Sequence, residues 1–361
     1  MIGRGLAAAL LLAGATGCCA CASSPSFTVR NGAALAPGAA PALGPAAVRV
    51  LHLGDFGDDT CQQAAVASAM AAAHARAPFD LAVAAGDLLY PCGPDAFAPG
   101  ASGCTFAADG NTVAAGFASP PDPTFARHEA PLWFLGSTPV YLALGNHDVA
   151  TGGRCGPSDP AGARLKACLN VAHAAPQWIL PGRHHAVDRG PARFIFVDSN
   201  LVVGDYGGFS LDGEVAFVAE QAAGCADRTC FLVGHHPPAT AGSHRVDVGP
   251  EYLARMQRLL DAGQGRIRAY LAGHDHDLQH VRTPGGLDVL VSGAGALGRW
   301  REAFESTSGG SRLFFGSMRW GYAILEVSAG GWSYRFEDDR GAALYCCAAQ
   351  GGGPCEPVSC R

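Results

Sequence analysis

The stretch Gly273-His274-Asp275-His276 follows an apolar run at 268–272 and precedes a second strand-like run near 278–281. Two imidazoles separated by one residue at the end of a buried strand can reach neighbouring points in space, as metal ligation requires. A loop with two solvated histidines would have the same sequence, so the motif alone does not decide between these interpretations. The remaining polar clusters of the chain decide it.

Four other apolar runs end in a similar polar cluster, and each cluster follows a glycine. In chain order they are 48–53 before GDFG, 81–85 before GDLLY, 140–144 before GNHD and 230–233 before GHHP. In an open α/β sheet the carboxyl ends of the strands line the ligand crevice. We expect each glycine to turn the backbone sharply, so that the next side chain enters that crevice. Five such strand ends in order predict one polar site.

Together the clusters resemble the motifs of the purple acid phosphatases, in the calcineurin-like metallophosphoesterase superfamily. The family's blocks read GDxG, GDxxY, GNH with Asp or Glu, Val-x-x-His and GHxH. This chain has GDFG, GDLLY, GNHD, VGHH and GHDH in that order, over roughly residues 48–330. The resemblance is nearest to the small, mammalian-like tartrate-resistant acid phosphatase branch, because the chain before residue 48 is too short for the extra β domain of the plant-like branch. It implies an α/β fold, a four-layer α/β/β/α sandwich of two facing mixed sheets.

The resemblance also implies two metal ions that share one carboxylate. The first ion would be held by Asp55, Asp87, Tyr90 and His276, and the second by Asp87, Asn146, His235 and His274. Two carboxylates and a phenolate suit ferric iron, whereas imidazoles and an amide suit a divalent ion such as iron, zinc or manganese. Each residue has a plainer alternative, since Asp55 or Asn146 could cap a helix and Tyr90 could be a rim aromatic. The family's His-x-Pro pattern selects His235, and His236 would then line the pocket wall.

Three further residues are candidates for catalysis. His147, next to Asn146, would contact the phosphate or the leaving oxygen, and Asp148 would orient it. His244 lies nine residues after His235, the spacing at which similar small enzymes place a second acid/base histidine, although a solvated loop histidine would look the same.

The reaction implied by the resemblance is hydrolysis of phosphate monoesters by a metal-activated hydroxide. A phosphodiesterase or nucleotidase on the same scaffold is the alternative, and Tyr90 argues against it. A non-catalytic binding protein with this fold would be expected to lack one or more ligands, and none is missing.

Length and charge limit the partners. The chain has 361 residues, 48% of them hydrophobic, which is enough for one large or two small domains. Its net charge of −6 and its lack of basic runs argue against nucleic acid. We expect a small phosphorylated substrate and a monomeric protein.

The first 22 residues predict an export signal, with one early positive charge, a short apolar core and a small-residue end. Cys18 lies in a sequence like a bacterial lipobox, and ordinary cleavage near residues 20–22 is the alternative. The protein would contact a membrane only through a lipid attached to Cys18. We therefore expect a periplasmic, secreted or envelope-anchored protein. Residues 23–47 predict a flexible tether, 48–340 the catalytic domain and 341–361 a cysteine-rich tail.

Eleven of the fourteen cysteines lie beyond the export segment, and an exported chain can oxidise them. Proximity in sequence suggests pairing Cys92 with Cys104, Cys155 with Cys168 and Cys225 with Cys230. Four C-terminal cysteines would staple the tail, which leaves Cys61 without an assigned partner. The alternative for that tail, a zinc site, lacks a regular C-x-x-C pair; its cysteines are Cys346, Cys347, Cys355 and Cys360.

Periodicity predicts helices at 60–76, 128–135, 212–223 with an N-terminal Asp cap, and 250–262. Further strands are expected at 193–198, 288–292, 321–327 and 332–336, the last three as antiparallel edge strands. Two long irregular segments, 91–123 and 149–181, would form opposite rims of the site.

Overall fold

The computed structural model describes residues 28–29, 40–150, 155, 160–298, 304 and 306–360. The predicted export signal and Cys18 lie outside these residues. Over the described residues the helices are α1 (Cys61–Arg76), α2 (Ala126–Glu129), α3 (Pro160–Ala172), α4 (Asn200–Val203), α5 (Leu211–Ala222) and α6 (Pro250–Ala262). The strands are β1 (Thr28–Val29), β2 (Val48–Leu53), β3 (Leu81–Ala85), β4 (Val140–Ala143), β5 (His185–Arg189), β6 (Ala192–Phe196), β7 (Thr229–Val233), β8 (Ile267–Ala272), β9 (Leu278–Arg282), β10 (Asp288–Ser292), β11 (Arg312–Ser317), β12 (Gly321–Ser328), β13 (Gly331–Asp338), β14 (Ala343–Gln350) and β15 (Glu356–Val358).

The strands form two mixed sheets. One has the order β15-β14-β13-β12-β2-β3-β4, and the other has the order β1-β11-β9-β10-β8-β7-β6-β5. Phe194 and Leu271 of the second sheet share a buried apolar cluster with Leu325 and Trp332 of the first, so these faces pack on each other. The predicted α/β class and four-layer sandwich are confirmed.

Helix residues cover the outer faces of the sheets. Val66 of α1, Val218 of α5 and Leu259 of α6 belong to one buried cluster with Leu51 and Leu232 from the strands. Burial of such apolar side chains supplies most of the stability of amphipathic helices, because helix propensity alone is weak. The helices therefore fix the strands whose ends carry the polar motifs.

The parallel strands place those motifs together. Strands β2, β3 and β4 are parallel neighbours, as are β6, β7, β8 and β10. The polar motifs follow the carboxyl ends of β2, β3, β4, β7 and β8. In this arrangement they share one edge of the paired sheets.

Helix α1 shows how local sequence sets an element's bounds. The Thr60 side chain accepts a hydrogen bond from the Gln63 backbone N–H at 3.1 Å, which starts the helix. Ala77 is extended because Pro78 follows it, and the helix ends at Arg76. The predicted Asp cap of α5 is wrong, since Ser210 precedes the helix and Asp212 lies exposed in its first turn. There Asp212 faces the positive end of the helix dipole.

Several strands differ from the sequence prediction. Strand β10 lies between β8 and β9, β12 lies between β13 and β2, and β13 lies between β14 and β12, so none of the three predicted edge strands is at an edge. Helix α3 occupies part of the segment predicted to be irregular. The cysteine-rich segment contributes β14 and β15 to the seven-stranded sheet.

The two predicted rims are joined by disulfides, which corrects two of the proposed pairs. The bonds are Cys92–Cys155 and Cys104–Cys168. Proximity in sequence misled the prediction because Cys92 and Cys104 bond to cysteines of the segment that was predicted to form the opposite rim. Cys225–Cys230 pairs as expected. The tail is stapled by Cys346–Cys360 and Cys347–Cys355, and Cys61 is disulfide-bonded as well.

The predicted tether contacts the body over the part that the structure describes. Thr28 and Val29 pair with Ser317 and Gly316 of β11. The Ala47 backbone N–H donates to the Val327 carbonyl at 2.9 Å. None of the described helices combines the length and apolarity needed to cross a membrane.

The disulfides that join the rims should contribute more to stability than a local one. The two cysteines of Cys104–Cys168 are 64 residues apart in sequence, and those of Cys225–Cys230 are 5 apart. Loop-closure entropy predicts a loss of about 4 kcal/mol for Cys104→Ala/Cys168→Ala and about 2 kcal/mol for Cys225→Ala/Cys230→Ala. All four cysteines are buried, so the two variants lose similar packing. Denaturant unfolding without reductant measures both, and an equal or larger loss in the local pair would contradict this.

Candidate metal centre

Four of the predicted ligands meet around the hydroxyl of Tyr90. The oxygen of that hydroxyl lies 2.7 Å from Asp87 Oδ2, 2.9 Å from Asp55 Oδ1 and 3.1 Å from His276 Nε2, and its one proton can be donated to either carboxylate. His276 Nε2 is in turn 3.4 Å from Asp55 Oδ1. Ligand atoms of Asp55, Asp87 and His276 all lie within 4.8 Å of one another, which is close enough to hold one ion.

The other three ligands meet around the amide oxygen of Asn146. His235 Nε2 lies 3.0 Å from Asn146 Oδ1, and His274 Nδ1 lies 3.1 Å from the same oxygen. The two histidine nitrogens are 3.2 Å apart. His235 Nδ1 is 2.8 Å from the Ala85 carbonyl. If Nδ1 carries the proton that this carbonyl accepts, Nε2 is the nitrogen available to a metal.

Asp87 belongs to both groups. Its Oδ2 lies 2.7 Å from the Tyr90 hydroxyl in the first group and 3.3 Å from His235 Nε2 in the second. Its Oδ1 accepts the His147 backbone N–H at 2.9 Å, which fixes the carboxylate between the two sets. The seven predicted ligands are thus brought together, with Asp87 at the centre.

The backbone at this site differs from the expectation that glycines make the turns. Asp55, Asp87 and His274 themselves adopt the left-handed conformation, with φ of 53°, 53° and 74°. Such residues cost about 1–3 kcal/mol each and are kept where the surrounding structure imposes them. Gly145 serves close approach instead, because a Cβ there would lie 2.2 Å from the Asp87 carboxylate. Gly86 has φ of 83°, and a Cβ there would meet the His235 ring.

The electrostatics of the cluster favour a bound cation. Burial, followed by the charges of Asp55 and Asp87, raises the pKa of Tyr90 well above its ordinary value. Burial opposes ionisation of Asp87, but the adjacent His235 holds the pKa of Asp87 below its ordinary range. In the described part of the chain, no Lys or Arg side chain pairs with the carboxylates of Asp55 or Asp87. The donor set therefore fits metal ions, which would supply the missing positive charge.

His235 must lose a proton to act as a ligand. Burial alone would lower the pKa of His235, but the neighbouring Asp87 carboxylate raises it to about 9. A cation at Nε2 would displace that proton, so metal affinity should depend on pH.

His147 lies at the site, but Asp148 does not orient it as predicted. The His147 Nδ1 atom lies 2.7 Å from the Pro91 carbonyl, and its ring centroid is 4.4 Å from that of Tyr90. The Asp148 carboxylate accepts the backbone N–H groups of Leu88, Leu89 and Gly145 at 2.8, 3.0 and 2.7 Å. Burial and the charge of Asp87 raise the pKa of Asp148 to about 8. Asp148 ties the turn after β3 to the turn after β4.

His244 lies against the second group of ligands. Its ring centroid is 3.9 Å from that of His274, and its Nδ1 is 2.7 Å from Asp247 Oδ2. Sequence reasoning missed Asp275, whose buried Oδ1 accepts the His244 backbone N–H at 2.9 Å. Asp275 also accepts the Thr240 hydroxyl. The sequence signal for Asp275 was its position between two predicted ligands, His274 and His276.

His236 lines a cavity beside these residues. It is buried, its ring centroid is 4.5 Å from that of His274, and its Nδ1 is 3.0 Å from Ser199 Oγ. Burial and the adjacent His235 lower the pKa of His236 well below its ordinary value. Ser199 was not among the predicted site residues.

The chain is similar to a known family and to proteins within it. The model of the calcineurin-like phosphoesterase family matches residues 48–278, more than half of the chain. Tartrate-resistant acid phosphatase type 5 of Sus scrofa is 26% identical over 136 residues, which are 37% of this chain and 39% of that protein. The match thus spans about two fifths of that relative's length.

Solved structures share the fold. GAP50, the anchor in the inner membrane complex of Plasmodium, has a TM-score of 0.61 at 18% identity, over 85% of this chain and 89% of its own. Purple acid phosphatase PPD1 from yellow lupin (Lupinus luteus) seeds has a TM-score of 0.58 at 14% identity, over 86% and 55%. At such identities these likenesses show the fold alone. With five motifs meeting at one site and a family match across them, the chain belongs to the calcineurin-like phosphoesterase family, where its relatives include a tartrate-resistant acid phosphatase.

Proposed function

We propose that the protein is a dinuclear-metal acid phosphatase that hydrolyses phosphate monoesters. The observation that carries this proposal is the position of Asp87 between two groups of ligand atoms, within 2.7 Å of the Tyr90 hydroxyl and 3.3 Å of His235 Nε2. A site for one metal ion would not need a carboxylate that is shared by two groups of ligand atoms. The family match supports phosphoester hydrolysis as the general reaction.

The proposed ligands divide by their chemistry. Asp55, Asp87, Tyr90 and His276 would hold ferric iron, and Asp87, Asn146, His235 and His274 would hold a divalent iron, zinc or manganese ion. When bound, such a pair supplies positive charge to the phosphate oxygens and acidifies water, the trivalent ion more strongly than the divalent one. Backbone hydrogen bonds hold the two carboxylates in place: the His274 N–H donates to Asp55 Oδ2 at 2.7 Å and the His147 N–H donates to Asp87 Oδ1 at 2.9 Å.

Two histidines are assigned to the substrate itself. His147 Nδ1 bonds to the Pro91 carbonyl, so we assign Nε2 to the contact with a phosphate oxygen. His244 Nδ1 bonds to Asp247, so Nε2 would donate a proton to the leaving oxygen. The carboxylate of Asp247, 2.7 Å from Nδ1, would hold the His244 ring in the orientation that a proton donor requires.

The relatives and the disulfides support the rest of the proposal. The porcine relative is named an acid phosphatase, and a phosphodiesterase or nucleotidase on this fold would have no need of Tyr90 at the first ion. Five disulfides among the described residues agree with an extracytoplasmic location. The proposed partner is a small phosphorylated substrate.

Hydrolysis of two esters with the same leaving group tests the reaction class. Purified, metal-loaded protein should hydrolyse 4-nitrophenyl phosphate faster than bis(4-nitrophenyl) phosphate, with a maximum at mildly acidic pH because the proposed ferric site acidifies water. The rates are measured across pH with metal content determined on the same samples. Activity confined to the diester, or to pH above neutrality, would favour the phosphodiesterase alternative.

Tyr90 provides a spectroscopic test of the ferric site. A phenolate bound to ferric iron gives a charge-transfer band in the visible, so the iron-loaded protein should be pink to purple and Tyr90→Phe should be colourless. Hydrolysis should decline less than in His274→Ala, because Tyr90→Phe removes one oxygen and keeps the ring, whereas His274→Ala removes a whole ligand side chain.

Tyr206→Phe is the matched control, since its hydroxyl also donates to a buried carboxylate, that of Asp198. This variant should keep the band. An iron-loaded wild type without a visible band, or a Tyr90→Phe variant that retains it, would show that Tyr90 is only a rim aromatic.

A further inference from the structure

A cavity of about 260 Å³ opens beside the second group of ligands. Asn146 and His274 line it on the side of the proposed metal centre. Away from these two ligands its walls are contributed by the turn after β7, the end of α4 and the start of α6. These wall residues are Val203, His236, Pro237, Thr240, His244, Asp247, Val248 and Tyr252.

Much of this wall is apolar. Val203, Pro237, Val248 and the ring of Tyr252 contribute carbon surface. The Tyr252 hydroxyl donates to the Pro237 carbonyl at 2.8 Å, so the polar end of that side chain is already bonded. Val203 is 61% exposed, so its apolar surface is open to a ligand. A ligand group that covers it would gain from the burial of apolar surface.

The charged residues that line the cavity away from the proposed ions disfavour an anionic group. Asp247 is its one acidic lining residue, and no Lys or Arg is among the described residues that line it. On the wall away from the proposed ions, near Val203 and Asp247, a second phosphate or a carboxylate on the substrate would enter apolar surroundings next to a negative charge and without a Lys or Arg to pair with. The leaving group that this cavity accepts is therefore uncharged.

The position of His244 relates the cavity to the ester. A general acid must come within hydrogen-bond reach of the oxygen to which it gives a proton. His244 lines the cavity, and its ring centroid lies 3.9 Å from that of His274. A leaving oxygen within reach of His244 Nε2 would place the rest of the leaving group in this cavity.

We propose that the cavity receives the leaving group and selects monoesters of compact, uncharged alcohols or phenols with an apolar body. This proposal rests on the proposed function and defines its substrate class. Pockets for drug-sized ligands have volumes of about 300–1,000 Å³. A cavity of about 260 Å³ suits a group the size of one ring.

Two aryl esters whose phenols have similar acidity test the selection. We expect kcat/KM for phenyl phosphate to exceed that for 4-carboxyphenyl phosphate about tenfold, a difference of about 1.4 kcal/mol. Val203→Lys should lower this ratio and Val203→Asp should raise it, each about two- to fivefold as for an exposed charge pair. Val246→Lys is the matched control, because Val246 is 77% exposed and does not line the cavity. Its ratio should stay within about twofold of the wild type.

Binding of non-hydrolysable phosphonates separates this proposal from the proposed function. Calorimetry should show that phenylphosphonate binds the metal-loaded protein about tenfold more tightly than methylphosphonate does. Val203→Asp should reduce that difference, and Val246→Lys should not. A phosphonate preference without hydrolysis of any monoester would overturn the phosphatase function and support the cavity's selectivity. Equal affinities, no binding of either phosphonate, or equal kcat/KM for the two aryl esters would overturn the cavity assignment.

Discussion

The carboxylate of Asp87 is the group on which the rest of the site depends. It is 1% exposed, and its Oδ2 faces a phenol hydroxyl on one side and an imidazole on the other. A buried carboxylate beside a second carboxylate, that of Asp55, is unfavourable unless positive charge lies between them. The cluster therefore has the chemistry of a cation site. The remaining donors come from the turns that follow the parallel strands β2, β3, β4, β7 and β8.

The scaffold holds this arrangement against its own backbone preferences. Asp55, Asp87 and His274 have positive φ, a conformation that non-glycine residues rarely adopt. Glycines leave room for these turns, because a Cβ at Gly145 or Gly273 would overlap the carboxylate of Asp87 or Asp55. The Asp148 carboxylate then connects the turns after β3 and β4 through three backbone hydrogen bonds. Strain at the ligands combined with rigid neighbours is typical of sites whose geometry must exist before a ligand arrives.

Much of this could be predicted from the sequence, because the strands that carry the motifs are short apolar runs ending in glycine. The bounds of β2, β3, β10 and α6 match those predicted, and the seven predicted ligands are brought together. Contacts between distant segments were not predictable, since no local pattern records them. Examples are the pairing of Cys92 with Cys155 and the backbone role of Asp148.

The metal content of Asp87→Asn tests the shared carboxylate most directly. Elemental analysis of the wild type should give two ions per chain, and folded Asp87→Asn should lose at least one of them together with its activity, because both groups use this oxygen. Asp59→Asn, an exposed aspartate near the end of the same turn as Asp55, should retain both ions. A folded Asp87→Asn protein that holds two ions as tightly as the wild type would contradict the account.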